Sequence, residues 1–115
     1  MSDLTINIGA ALAATREVAS GMLKRGNGTV LLTGGALAID PNPDYLSLGI
    51  GKAGIRNMTH ALFDSFKDRG VHIATVAVGT LVAPGSRETE AIAEAFWRLH
   101  DSPRQVWTPE VRYPA

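Results

Sequence analysis

Residues 71–78, Val-His-Ile-Ala-Thr-Val-Ala-Val, form a nearly unbroken apolar run, rich in β-branched side chains and too short for a helix. Such a run reads as a strand covered on both faces. Gly70 precedes it as the cap of a helix marked by Ile50, Ile55, Met58, Leu62 and Phe66 at helical spacing, with Arg56, Asp64, Lys67 and Asp68 on the other side. Further upstream, Thr29-Val30-Leu31-Leu32-Thr33 is a second short continuous run. It too is expected to be buried on both faces, and Gly34-Gly35 to end it. Ala36 to Asp44 carries two prolines, two aspartates and an asparagine, the composition of a loop. Strand, helix, strand in this order predicts a right-handed parallel crossover.

The flanks extend the pattern. Ser2 and Asp3 offer a cap for a helix whose Leu4, Ile8, Leu12, Thr15, Val18 and Met22 recur at helical spacing until Lys24 and Arg25, with Gly26-Asn27-Gly28 as its stop. Beyond the second strand, Pro84-Gly85 marks a loop and Ser86 caps a helix with Ile92, Phe96 and Leu99 on one face. Pro109 confines any strand in the tail, residues 105–113, to an edge or a short piece. The expected fold is α/β, a partial Rossmann-like doubly wound parallel sheet in three αβα layers, with residues 1–115 as one domain. The strand at Thr29 to Thr33 then lacks a neighbour, which predicts a homo-oligomer, most simply a dimer. Ala10, Ala11 and Ala14 allow close approach of the first helix to such a mate.

Composition narrows the function. The 115 residues are 45% hydrophobic and 19% charged, and eleven Lys and Arg balance eleven Asp and Glu. That balance argues against disorder and gives nucleic-acid binding no support. No cysteine is present, so disulfides, thiolate metal sites and cysteine nucleophiles are out. No apolar run approaches the roughly 18 residues of a membrane span. Asp3 before the apolar stretch at Leu4 to Ala14, with no cation upstream, speaks against a secretory signal, and the cytoplasm is expected.

Familiar nucleotide signatures are missing. Gly34-Gly35 follows a strand but opens a proline-rich loop in place of a helix that could hold a pyrophosphate. Gly49-Ile50-Gly51-Lys52 lacks the earlier glycine of a phosphate loop, and Ala53 stands where a magnesium-binding hydroxyl is needed. His60, His72 and His100 show no metal-ligand spacing, so no metal is expected. His60 is expected to face solvent, His72 to belong to a strand, and His100 to complement a helix dipole. Trp97 and Trp107 read as packing residues.

Three segments together resemble the short-chain dehydrogenases/reductases. Thr29-Val-Leu-Leu-Thr-Gly-Gly is similar to that family's strand leading to its catalytic serine, and Tyr45 to Arg56, Tyr-Leu-Ser-Leu-Gly-Ile-Gly-Lys-Ala-Gly-Ile-Arg, to its Tyr-x-x-x-Lys helix. Gly70 to Val76 is similar to the following strand, and Asn7 falls where the family places its tetrad asparagine. The resemblance runs from the first helix to at least Pro84 and covers the C-terminal half of the family's usual domain, without the glycine-rich dinucleotide turn. It implies NAD- or NADP-dependent interconversion of an alcohol and a carbonyl, with Asn7, Lys52 and Tyr45 as catalytic candidates and Lys52 and Gly79 as cofactor contacts. The chemistry departs from the pattern. Leu48 stands at the tyrosine position and Gly35 at the serine position, Val78-Gly79 replaces a Pro-Gly turn, and Ala83 replaces a nicotinamide-contacting threonine. Tyr45 lies two helical turns before Lys52, but Pro43-Asp44 just before it reads as loop. Lys52 itself reads equally as a surface lysine or a ribose contact. The resemblance therefore implies a truncated, atypical member with weak or no activity as this chain alone. The alternative is a non-catalytic oligomerisation or regulatory module.

Overall fold

A computed structural model describes residues 8–80 and 82–114. Its elements are α1 (Ala10–Arg25), β1 (Gly28–Gly35), α2 (Leu46–Asp68), β2 (Val71–Val78), α3 (Arg87–Asp101) and β3 (Glu110–Tyr113). The strands form one parallel sheet in the order β1-β2-β3, with Gly28 opposite Val71 and Thr75 opposite Glu110. The expected cap at Ser2 and Asp3, Leu4, and the candidate Asn7 lie outside the described residues.

β2 is the centre of the molecule, and seven of its eight residues are buried. Alternate side chains serve two cores. Val71 and Ile73 join Val30, Ala19 and Phe66 beneath α1 and α2, while Ala74 and Val76 meet Leu31, Phe96 and Leu99 beneath α3. Full burial of Val71, Ile73 and Val76 contributes about 1.5–3 kcal/mol each. These two cores make the three layers that the sequence predicts.

His72 and Thr75 are the two polar residues of β2, and His72 is the one with a titratable ring. His72 is 1% exposed, its Nδ1 lies 3.2 Å from the Leu99 carbonyl and its Nε2 2.9 Å from the Thr108 carbonyl. The Trp107 ring stacks on it at 4.7 Å and 6°. One buried imidazole thus ties β2 to the end of α3 and to the segment that leads into β3. Trp107 packs as expected. Trp97 does not: it is 58% exposed and only tilts against His100 at 5.4 Å. His60 is exposed, and His100 lies near the α3 C-terminus with Nδ1 3.0 Å from Thr29 Oγ1.

Capping follows the sequence at both ends of the molecule. Ser86 Oγ accepts from the Thr89 N–H, and Glu88 and Glu90 sit in the first turn of α3 where they oppose the helix dipole. Gly26 ends α1 in the left-handed region, its N–H donating to the Met22 carbonyl. Gly70, also left-handed at φ 83°, turns from α2 into β2 directly against the Gly26 carbonyl, where a side chain has no room.

Three expectations change. β1 continues through Gly34 and Gly35, because the ladder is carried on by Ala77 and Val78 of the neighbouring strand. It is not covered on both faces: Val30 is buried, Leu31 and Leu32 are half-buried and Thr33 is exposed, since β1 is an edge strand with helical cover that falls short of its rim. The stripe expected to face the sheet on α1 is also rotated. Thr15 and Ala19 are its buried residues, whereas Leu12 and Val18 are 45% and 47% exposed.

Candidate functional site

β1 and β2 end side by side, with Gly35 opposite Val78. From Gly35 the chain makes a short turn at Ala36–Ala38 and a second at Pro43–Tyr45, where Asn42 Oδ1 accepts from the Asp44 N–H at 2.9 Å. That cap aims the chain into α2, which therefore begins at Leu46, a turn earlier than its periodicity suggests. The strand ends, the two turns and the start of α2 enclose an open cleft of about 650 Å3. Ligand clefts of parallel sheets lie here, at the carboxyl ends of the strands.

The cleft brings together five of the residues singled out in the sequence: Gly35, Tyr45, Leu48, Lys52 and Gly79. Lys52 Nζ donates to the Thr33 carbonyl at 3.3 Å, which bends the side chain across the end of β1. Tyr45 occupies the position just before the first residue of α2 and is 57% exposed at the mouth; Leu48, 40% exposed, lines the wall. The Gly79 N–H donates to the Tyr113 carbonyl at 2.7 Å, so this rim is fixed by the last residue of β3. Sequence reasoning missed Asp40, Asn42 and Thr80, which also line the cleft. The Asn-Pro-Asp run at Asn42 was their available signal, as a turn that folds a loop back over a strand end.

Chemically the lining is mostly apolar, with one ammonium from Lys52, one carboxylate from Asp40 and one phenol from Tyr45. It can orient a small polar group beside Lys52 within an apolar wall. It offers no hydroxyl at position 35 or 48. Lys52 and the bare strand ends at Gly35 and Gly79 leave open space beside a cation on one side of the cleft. Among the described residues the turn after β1 is three residues long and no glycine-rich turn opens a long helix, so the pyrophosphate has no such cradle here. Among the described residues no cluster of three or more His, Asp or Glu side chains could hold a metal ion, and no helix is long and apolar enough to cross a membrane.

A parallel sheet with helices on both faces and a ligand cleft at its strand ends defines a Rossmann-like α/β protein. Its particular family is given by sequence: the short chain dehydrogenase family model matches residues 2–94, and the chain belongs to that family of oxidoreductases. A glucose 1-dehydrogenase from Gluconobacter oxydans (strain 621H) is 28% identical over 82 residues, 70% of this chain and 31% of that protein. A short-chain dehydrogenase from Rhodopseudomonas palustris superposes with a TM-score of 0.84 at 22% identity, over 96% of this chain and 49% of that one. A metagenomic short-chain oxidoreductase in complex with NADP gives 0.81 at 22% identity, over 95% and 50%. The chain thus spans about a third of the curated relative and about half of each solved one.

Proposed function

We propose that this chain supplies the substrate wall and the lysine of a short-chain dehydrogenase site but not its proton-transferring pair. The observation that carries this reading is a single cleft in which Lys52 is held beside Gly35 and Leu48. When bound, NAD or NADP would supply the hydride, and Lys52 and Gly79 are the residues here that would contact it. Lys52 orients a hydroxyl or carbonyl oxygen by donating from Nζ, and Leu48, Leu37 and Val78 exclude water around it. Leucine and glycine hold no exchangeable side-chain proton, so general acid–base assistance, worth roughly 100- to 10,000-fold, is lost at these positions. Tyr45 is the phenol in the lining and the group through which residual turnover of a small carbonyl or alcohol would run. We place the chain in the cytoplasm.

The test is calorimetric titration with NADH and NADPH, followed by a panel of carbonyl substrates. This chain alone is expected to bind either cofactor weakly or not at all and to show no appreciable reduction. Turnover at ordinary enzymatic rates would overturn the reading, and its abolition by Tyr45→Phe would assign the proton donor. A second reading, a non-catalytic homodimerising module, is favoured by the exposed Leu12 and Val18 on α1.

A further inference from the structure

Buried donors and acceptors have to be matched, and at His72 the match depends on a proton. The ring is 1% exposed, and each of its nitrogens meets a carbonyl oxygen: Nδ1 that of Leu99 at 3.2 Å, Nε2 that of Thr108 at 2.9 Å. A carbonyl only accepts. A neutral imidazole has one N–H and one lone pair, so it serves one of these oxygens and turns its lone pair on the other, whereas the imidazolium donates to both. The neutral ring keeps the shorter contact, to Thr108. Its lone pair then faces the Leu99 carbonyl, which is still served by Ser102 Oγ at 2.8 Å.

Every element packed against the ring bears on its charge. From α2 comes the edge of Phe63, with ring centroids 6.2 Å apart, and Lys67 Nζ lies over that same Phe63 ring at 5.8 Å. From α3 comes the Leu99 carbonyl, followed by His100 and Asp101, both exposed. From β1 comes Thr29, level with His72 in the ladder, its hydroxyl held by His100. The segment before β3 brings the face of Trp107 at 4.7 Å and 6°, and its Arg104 is exposed and donates to the Lys67 carbonyl. Among the described residues no carboxylate forms an ion pair with His72. Burial and the Lys67 ammonium oppose a positive charge on the ring; two carbonyl oxygens and the indole face, which attracts cations, favour it. We propose that His72 is a proton-operated latch: doubly protonated, it clamps both the end of α3 and the lead into β3 onto β2, and loss of one proton frees the α3 end. The latch closes in acid. Its closed form makes both contacts and its open form one, so its contribution is complete at low pH and falls as pH rises through the imidazole range, about pH 5 to 8.

The ring can be read directly in the whole chain. Nitrogen-15 NMR distinguishes a ring nitrogen that bears a proton from one with a free lone pair, and the His72 signals are those missing from His72→Phe. Both nitrogens are expected to bear protons at about pH 5 and one to have lost its proton by about pH 8. Native-state hydrogen exchange, corrected for its intrinsic pH dependence, is expected to quicken about tenfold over that range at the amides of residues 99–102, and to stay within about twofold in His72→Phe. His60→Gln and His100→Gln are expected to keep the wild-type change. If His72→Phe does not fold, His72→Gln, which keeps a side-chain N–H donor and does not titrate, supplies the same comparison. A ring with a single proton over the whole range overturns the latch. So does a change in exchange that persists without His72, or one that His100→Gln abolishes.

Discussion

The aliphatic stem of Lys52 lies where a side chain on Gly35 would stand: a Cβ built there would be 3.1 Å from Lys52 Cγ and 3.4 Å from Cδ. Gly35 has φ −158°, ordinary extended backbone, so conformation alone does not demand glycine. Replacing glycine where its conformation suits other residues stabilises by about 0.4–1 kcal/mol through the unfolded chain. Here the lysine stem decides the sign. Gly35→Ala is expected to lower stability by about 1 kcal/mol, and to become neutral or stabilising in a Lys52→Ala background. Urea titrations of the four chains in this cycle measure the coupling.

The same contact bears on restoring the site. Leu48→Tyr with Gly35→Ser returns both side chains that the family pattern expects, but the serine must displace the Lys52 stem by a few tenths of an ångström. Any gain in carbonyl reduction is therefore expected to need the pair of substitutions, with neither alone giving a detectable rate. A rate from Leu48→Tyr alone would show that the glycine is no obstacle.

Gly70 and Gly85 make a matched comparison. Both have positive φ, 83° and 72°. A Cβ on Gly70 would overlap the Gly26 carbonyl, whereas one on Gly85 meets nothing within 4 Å. Gly85→Ala is expected to cost about 1 kcal/mol, the strain of the left-handed backbone alone. Gly70→Ala is expected to cost roughly 3 kcal/mol or more, because the turn from α2 into β2 must move as well. Thermal unfolding of the two variants gives the ranking directly.

Arg56 on α2 grips Glu110 on β3 through two hydrogen bonds, Nε to Oε1 at 2.7 Å and Nη2 to Oε2 at 3.3 Å. With side-chain exposures of 39% and 13%, a double-mutant cycle is expected to return about 1 kcal/mol, and Arg56→Lys to lose most of it by giving up the fork. Donation to the Glu110 carboxylate holds the Arg56 guanidinium pKa above its ordinary value. A raised folded-state value means that the contribution from Arg56 is complete at lower pH and is lost only as pH climbs through that value. No loss from this group is expected across the neutral range, and a cycle at pH 6 and pH 9 that differs on the arginine side would contradict the assignment.

His72→Phe keeps an aromatic ring against Trp107 and removes both contacts to the Leu99 and Thr108 carbonyls. A loss of about 2 kcal/mol is expected, in line with leaving buried acceptors without a donor. Trp107 emission should stay near the wild-type wavelength in His72→Phe and shift to the red in His72→Ala, where the stack is gone.

How far the sequence carried is clear from particular residues. β2 and the cap at Ser86 were legible because apolar runs and capping hydroxyls are local signals. The start of α2 was not, since Gly49, Gly51 and Gly54 dilute its periodicity and a distant turn capped by Asn42 sets where it begins. Tyr45, Leu48, Lys52 and Gly35 could be placed near one another by family spacing, and the cleft holds all four. Asp40 enters through the path of a loop, which no periodicity encodes. Burial of β1 was overstated because a continuous apolar run looks alike in a central strand and in an edge strand awaiting a neighbour. The grip of Glu110 on Arg56 and the stack of Trp107 on His72 join residues far apart in the chain, so no window of sequence contains them.

β2 is the middle strand of an all-parallel sheet, and this fixes an order of events during synthesis. Gly28 finds its ladder partner at Val71, and Thr75 finds its own at Glu110. A nascent chain that has made α1 and β1 therefore cannot close the ladder between β1 and β2 until the segment from Val71 has left the ribosome. The second ladder waits for the segment from Glu110. Nonlocal parallel pairing of this kind is slow to form. Through that interval the uncharged β1 segment is without its β2 partner, and it is then, before the native ladder closes, that the chain most needs dilution or a chaperone.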